Sequence, residues 1–94
     1  MRQTDRYEWD EAKRQDNLSK HGVDFAEAGK FDWSGALTAK DNRFDYGEDR
    51  FNSVGLVGDR LFVMVWTPRG EAVRVISFRK ANRKEVEYYE KSAI

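Results

Sequence analysis

A chain of 94 residues has room for one domain with a single modest core, and 39 % hydrophobic with 14 % aromatic content can fill it. The absence of cysteine excludes disulfides and thiolate zinc sites, and no apolar run reaches the roughly 18–20 residues that cross a bilayer. The zero net charge is uneven: residues 1–49 carry eight Lys/Arg against twelve Asp/Glu, or −4, and residues 50–94 carry nine against five, or +4.

Met1 to Asp5 lacks the apolar stretch of a signal peptide, so a cytoplasmic protein with no membrane partner is expected. Arg6-Tyr7-Glu8-Trp9 alternates as a short first strand. Asp10 is placed to cap a helix over Glu11–Lys20 that His21-Gly22 closes. The apolar stripe of that helix is thin (Ala12, Leu18), so most of it faces water or a partner. Asp24-Phe25-Ala26-Glu27 spells a capping box for a second helix, with Phe25, Ala28 and Phe31 turned inward and an end near Trp33-Ser34-Gly35.

Ala36 to Lys40 reads as a weak strand, and residues 41–49 as a charged loop too polar to bury. Arg50–Val57 is a strand, Gly58-Asp59 a hairpin turn, and Leu61–Trp66 a central strand covered on both faces. A turn at Pro68–Gly70 leads into a strand over Ala72–Arg79. Asn82 then caps a last helix with Glu85 three residues on and Val86, Tyr89 and Ala93 at helical spacing. One α+β domain over residues 1–94 results, without internal repeat or linker.

The ribbon Trp66–Lys80 alternates core residues with Arg69, Arg74, Arg79 and Lys80. Between Arg50 and Lys84 eight cations meet only Asp59 and Glu71, or +6. An anionic partner would explain that excess, and so would neutralisation by the acidic half. Simple alternation puts Arg74, Ile76, Phe78 and Lys80 on one face and Val73, Val75, Ser77 and Arg79 on the other. Arg74 and Arg79 can share a groove only if the strand ends or bulges near Ser77.

Three blocks of residues resemble the BrnT toxins of bacterial type II toxin–antitoxin modules. The first holds Tyr7-Glu8-Trp9-Asp10-Glu11-Ala12-Lys13, Asn17, Lys20-His21-Gly22-Val23-Asp24-Phe25 and Glu27-Ala28. The second holds Asp41, Arg43, Asp45-Tyr46-Gly47-Glu48 and Arg50; the third Thr67, Arg69-Gly70, Arg74, Ile76-Ser77, Arg79-Lys80-Ala81, Arg83 and Glu85. Trp33-Ser34-Gly35, Gly29, Phe78 and Asn82 depart from the family pattern, and none of these removes a polar motif residue. The resemblance implies a RelE-like fold: an antiparallel meander, two helices near the N-terminus and one at the C-terminus. It implies ribonuclease activity, a BrnA-like antitoxin with a ribbon-helix-helix domain, and operator DNA bound only through that antitoxin.

RNA cleavage without metal needs the 2′-hydroxyl deprotonated, the pentavalent phosphate stabilised and the 5′-oxygen protonated. Positioned cations serve the second task, and Arg69, Arg74, Arg79, Lys80 and Arg83 form the pool, unless salt bridges to Asp45, Glu48 or Glu71 occupy them. His21, the only imidazole, either moves a proton or simply ends its helix on backbone carbonyls. Glu48 is a carboxylate base or the partner of Arg50 or Arg74. Tyr46 stacks a base or anchors its loop, and Lys20 and Arg50 would hold RNA. Trp66 belongs to the core, and one of Tyr88 and Tyr89 must be exposed. No residue cluster has metal-ligand spacing and no cofactor is expected. A binding module without turnover, acting as co-repressor with its antitoxin, is the competing reading.

Overall fold

The computed structural model describes residues 6–92. In chain order it holds strand β1 (Tyr7–Glu8), helix α1 (Glu11–His21), a 3-10 helix (Phe25–Lys30) and strand β2 (Phe31–Lys40). Strands β3 (Phe51–Val57), β4 (Arg60–Arg69) and β5 (Ala72–Lys80) and helix α2 (Arg83–Ser92) follow. The five strands lie in the order β1-β5-β4-β3-β2. β2 to β5 form the expected antiparallel meander, and β1 joins β5 in parallel through Tyr7↔Val73 and Glu8↔Arg74, which makes the sheet mixed.

Local chemistry sets the helix ends. Asp10 accepts the backbone N–H groups of Ala12 and Lys13, and Gly22 closes α1 at φ 69°, a conformation glycine adopts without strain. At α2 the capping box is complete: Asn82 Oδ1 accepts from Glu85 N at 2.9 Å and Glu85 Oε1 from Asn82 N at 2.8 Å. Ala93 lies outside the described residues.

The second helix differs from expectation. It is a single 3-10 segment, and Trp33-Ser34-Gly35 belong to β2. Asp24 accepts from Ala26 N, but its carboxylate is also gripped by both arms of Arg14 at 2.9 Å, and Glu27 bonds Lys30 instead of completing a box. Phe25, Ala28 and Phe31 are nevertheless buried as expected. The turn before β5 also moves by a residue, to Gly70-Glu71, with Pro68 inside β4 opposite Val73.

The core lies on one face of the sheet, where Phe62, Met64, Val73, Val75 and Phe78 meet Val23, Phe25, Ala28 and Phe31. Trp66 is half-buried against that cluster, its indole N–H donating to Ser53 Oγ at 2.8 Å. The opposite, open face is crossed by α2, which has no buried residue. Val86 and Tyr89 flank Leu56 and Leu61, while Tyr88, 69 % exposed, borders Leu37 and Val54.

α1 covers the part of β5 that two-residue β1 leaves bare. The Asn17 amide donates to Phe78 O at 2.7 Å and to Val23 O at 3.0 Å, and accepts from Phe78 N at 3.1 Å. One buried side chain thereby pairs the strand edge as a neighbouring strand would.

Candidate functional site

The ladder between β4 and β5 slips once. Val65 pairs with Ser77 but Trp66 with Val75, so Ile76 is an extra residue in a bulge. Alternation therefore inverts there. Val73, Val75 and Phe78 all reach the core, and Arg74, Ser77 and Arg79, opposite Thr67, Val65 and Val63, lie on the open face. The unbroken alternation expected from sequence, with Arg74 and Phe78 on one face, is thus corrected. Lys80 moves too: it stands opposite Phe62, off the face of Arg74, and is exposed.

Arg69 continues the open-face alternation of Val65 and Thr67 at the end of β4. Arg74 is held by Glu8 at 3.3 Å, and not by Asp45, Glu48 or Glu71, the partners anticipated for it. Arg79 is bidentate to Glu85, at 2.8 and 2.7 Å, on the carboxylate that caps α2. Those hydrogen bonds raise the Arg79 pKa and lower that of Glu85. Arg79 therefore fastens the N-terminus of α2 to the sheet. Arg69, Lys80 and Arg83 are exposed, with no ion pair to any described residue.

The loop at 41–50 is better anchored than its composition implies. Asp41 is buried, correcting the expectation of a wholly exposed loop. Both carboxylate oxygens take the Arg43 fork at 3.0 Å, one also takes Arg43 N, and the other takes the Tyr46 hydroxyl at 3.1 Å. The Arg43 bonds hold the Asp41 carboxyl far below the ordinary carboxylate range. Tyr46 is thus a loop anchor, and Arg50 stacks on its ring at 4.0 Å while pairing with Glu48 at 3.1 Å. The Thr67 hydroxyl donates to Asp49 O at 2.6 Å, tying this loop to β4 at the position opposite Arg74.

His21 and Lys20 lie at the end of α1, in an open groove of about 200 Å³ lined also by Lys13, Asp16, Asn17, Ile76 and Ser77. Lys20 pairs with Asp16 at 3.1 Å, whereas His21 makes no hydrogen bond or ion pair with a described residue. The bond to a helix-end carbonyl that one of the two readings of His21 requires is absent among the described residues; the C-cap bond is Gly22 N to Leu18 O. Ser77 joins the two regions, since it stands between Arg74 and Arg79 and also lines the groove.

Sequence reasoning brought the arginines to one ribbon but gave Glu8, Asn17 and Lys13, which it placed among the family-like residues, no role at the site. The available signal was the helical spacing of Lys13, Asn17 and Lys20, a polar stripe where a buried face would be apolar. Among the described residues no three His, Asp or Glu side chains are grouped to hold a metal, and no helix is long and apolar enough to cross a membrane.

Residues 9–85 match a family described as the ribonuclease toxin BrnT of type II toxin–antitoxin systems. The 1.1 Å crystal structure of the Brucella abortus ribonuclease toxin BrnT is similar, with a TM-score of 0.69 and 32 % identity over 85 % of this chain and 100 % of that one. No curated protein matches the sequence significantly.

Proposed function

The chain belongs to the BrnT family of type II toxin–antitoxin ribonuclease toxins, and from that premise we propose that it cleaves RNA by attack of the 2′-hydroxyl without a metal ion. The observation that carries this reading is the bulge at Ile76, which gathers Arg74, Ser77 and Arg79 on one open face of β5. Cleavage develops negative charge on the non-bridging phosphate oxygens, and guanidinium groups fixed beforehand stabilise it without reorganising. Arg74, with Arg69 beyond it, supplies that charge at one end of the strand; Arg79 supplies it at the other while holding α2.

His21 is the better of the two proton-transfer candidates. Its imidazole is exposed and free of described partners, whereas Glu48 is engaged with Arg50 and serves to position that cation. Lys20, Lys80 and Arg83 add exposed charge for the RNA backbone, and Arg50 with Tyr46 offers a cation and ring at the loop end. We read the sheet with its flanking helices as RelE-like. The partners in this reading are RNA and a BrnA-like ribbon-helix-helix antitoxin through which operator DNA is bound, and the site of action is the cytoplasm.

The test is to incubate antitoxin-free protein with a defined RNA in EDTA and map the product ends. Products ending in 2′,3′-cyclic phosphate and 5′-hydroxyl are expected. Intact RNA beside demonstrably folded protein would overturn metal-independent cleavage of free RNA. One observation favours the second reading, a binding module without turnover: Arg50, Arg74 and Arg79 are each already paired with a carboxylate.

A further inference from the structure

Resting on the ribonuclease reading, we propose that the groove between α1 and the bulge of β5 seats an RNA phosphate, held by Lys13 and the Ser77 hydroxyl beside His21. Lys13, at α1 position three, lines a groove whose other wall is Ile76 and Ser77. Neither its ammonium nor the Ser77 hydroxyl has a hydrogen-bond or ion-pair partner among the described residues. His21 is equally unpartnered, and Asp16, the one carboxylate of the groove, is taken by Lys20. Three donors of anion-binding type therefore line one concavity, and its one carboxylate is paired with Lys20 rather than with any of them.

The walls are held in place by bonds that the ligand does not need. Asn17 spends its whole amide on Phe78 and Val23, which fixes the distance between α1 and β5 while leaving Lys13 and Lys20, one turn to either side, free of the strand. The bulge supplies the opposite wall, because Ile76 is the residue displaced from the ladder. A phosphodiester suits these donors, since its two non-bridging oxygens can take an ammonium and a hydroxyl at once. Ser77 shares its face with Arg74 and Arg79, so an RNA strand seated here continues onto the arginines.

The experiment uses a 2′-O-methyl RNA oligonucleotide, which lacks the attacking hydroxyl and so binds without being cut. Its binding is followed by fluorescence anisotropy against salt and by the imidazole NMR signals of His21, unambiguous because the chain has one histidine. His21 signals are expected to shift on binding. Lys13→Gln should weaken affinity roughly fivefold at low salt and lower the log–log salt slope by about 0.7, the value for one phosphate contact to a single strand. Lys13→Arg should restore the slope, which a merely structural lysine would not require, and Ser77→Ala should weaken binding without changing the slope. Binding that leaves the His21 signals and the Lys13→Gln slope unchanged would place RNA elsewhere and overturn the groove, while cleavage in EDTA would still stand. Failure of the oligonucleotide to bind at low salt would overturn the groove as well, and the cleavage assay then decides separately whether the ribonuclease reading survives.

Discussion

Arg74 and Arg79 on the open face of the sheet, and Arg50 in the loop beside it, each pair with a carboxylate, from Glu8, Glu85 and Glu48; in the groove beside α1, Lys13 and His21 pair with none among the described residues, since Asp16 there is paired with Lys20. The first arrangement fixes side-chain direction and cancels most of the charge seen from a distance. The second leaves the Lys13 ammonium uncancelled on a flexible stem. On the proposed RNA reading, the polyanion meets the unpaired Lys13 in the groove and the arginines as oriented donors, whose carboxylates must share or yield their hydrogen bonds. Orientation and attraction are divided between two neighbouring surfaces.

The most damaging way to break that division is to detach the two surfaces from one another. Asn17→Leu leaves the N–H and C=O of Phe78 and the C=O of Val23 without their partner in a buried place, and should cost on the order of 3–5 kcal/mol. Urea denaturation reads this directly, and a loss below about 1 kcal/mol would show that β5 does not depend on the amide.

Next in size is the contrast between two arginines on the same face. Arg74→Ala should leave stability within about 0.5 kcal/mol, because its partner is a half-exposed glutamate, yet slow single-turnover RNA cleavage roughly 100-fold. Arg79→Ala should slow cleavage too, and it should also lower stability by about 1 kcal/mol, since a bidentate bond to a capping carboxylate goes with it. Equal stability losses in the two variants would remove the distinction.

The gentlest probe is acid. Asp24, Asp41 and Glu85 have folded-state pKa values below their ordinary ones, held there first by hydrogen bonds from Arg14, Arg43 and Arg79. Depressed carboxyl pKa values mean stability that is complete above the ordinary carboxylate range and lost as pH falls through the folded values. Thermal unfolding should therefore be flat near neutrality and move to lower temperature once pH drops below about 4, with Glu85→Gln removing part of that dependence. A melting temperature that rises on acidification would contradict the assignment.

What the sequence made legible follows the range of the interactions. Asp10, Gly22 and the Asn82–Glu85 box act within one helical turn, and α1 begins and ends, and α2 begins, where those residues say. The β3–β4 hairpin at Gly58-Asp59 and the buried run from Leu61 to Met64 are equally local. The 3-10 segment was misread because Asp24 answers to Arg14, ten residues away, as much as to its own turn. Which face Arg79 occupies was undecidable from alternation alone, since a single bulge reverses every later position. Asp41 escaped notice for a related reason: a carboxylate in a charged loop reads as exposed until Arg43 and Tyr46 are seen closing over it. The candidate site suffers most from this, because its residues come from α1, the 41–50 loop, β4, β5 and α2, which only the fold brings near one another.

Ile76 has no partner on β4. The pairs on either side of it, Val75 with Trp66 and Ser77 with Val65, are consecutive on β4, so the strand would keep its partners if this residue were simply deleted. A chain one residue shorter could close the same sheet with its cores and cations unchanged in sidedness. It would forfeit the local coiling that an odd residue imposes on an edge. Ile76 is thus surplus to the wiring of the sheet, and what it adds is curvature: the floor along β5 is bent where the helix comes alongside it.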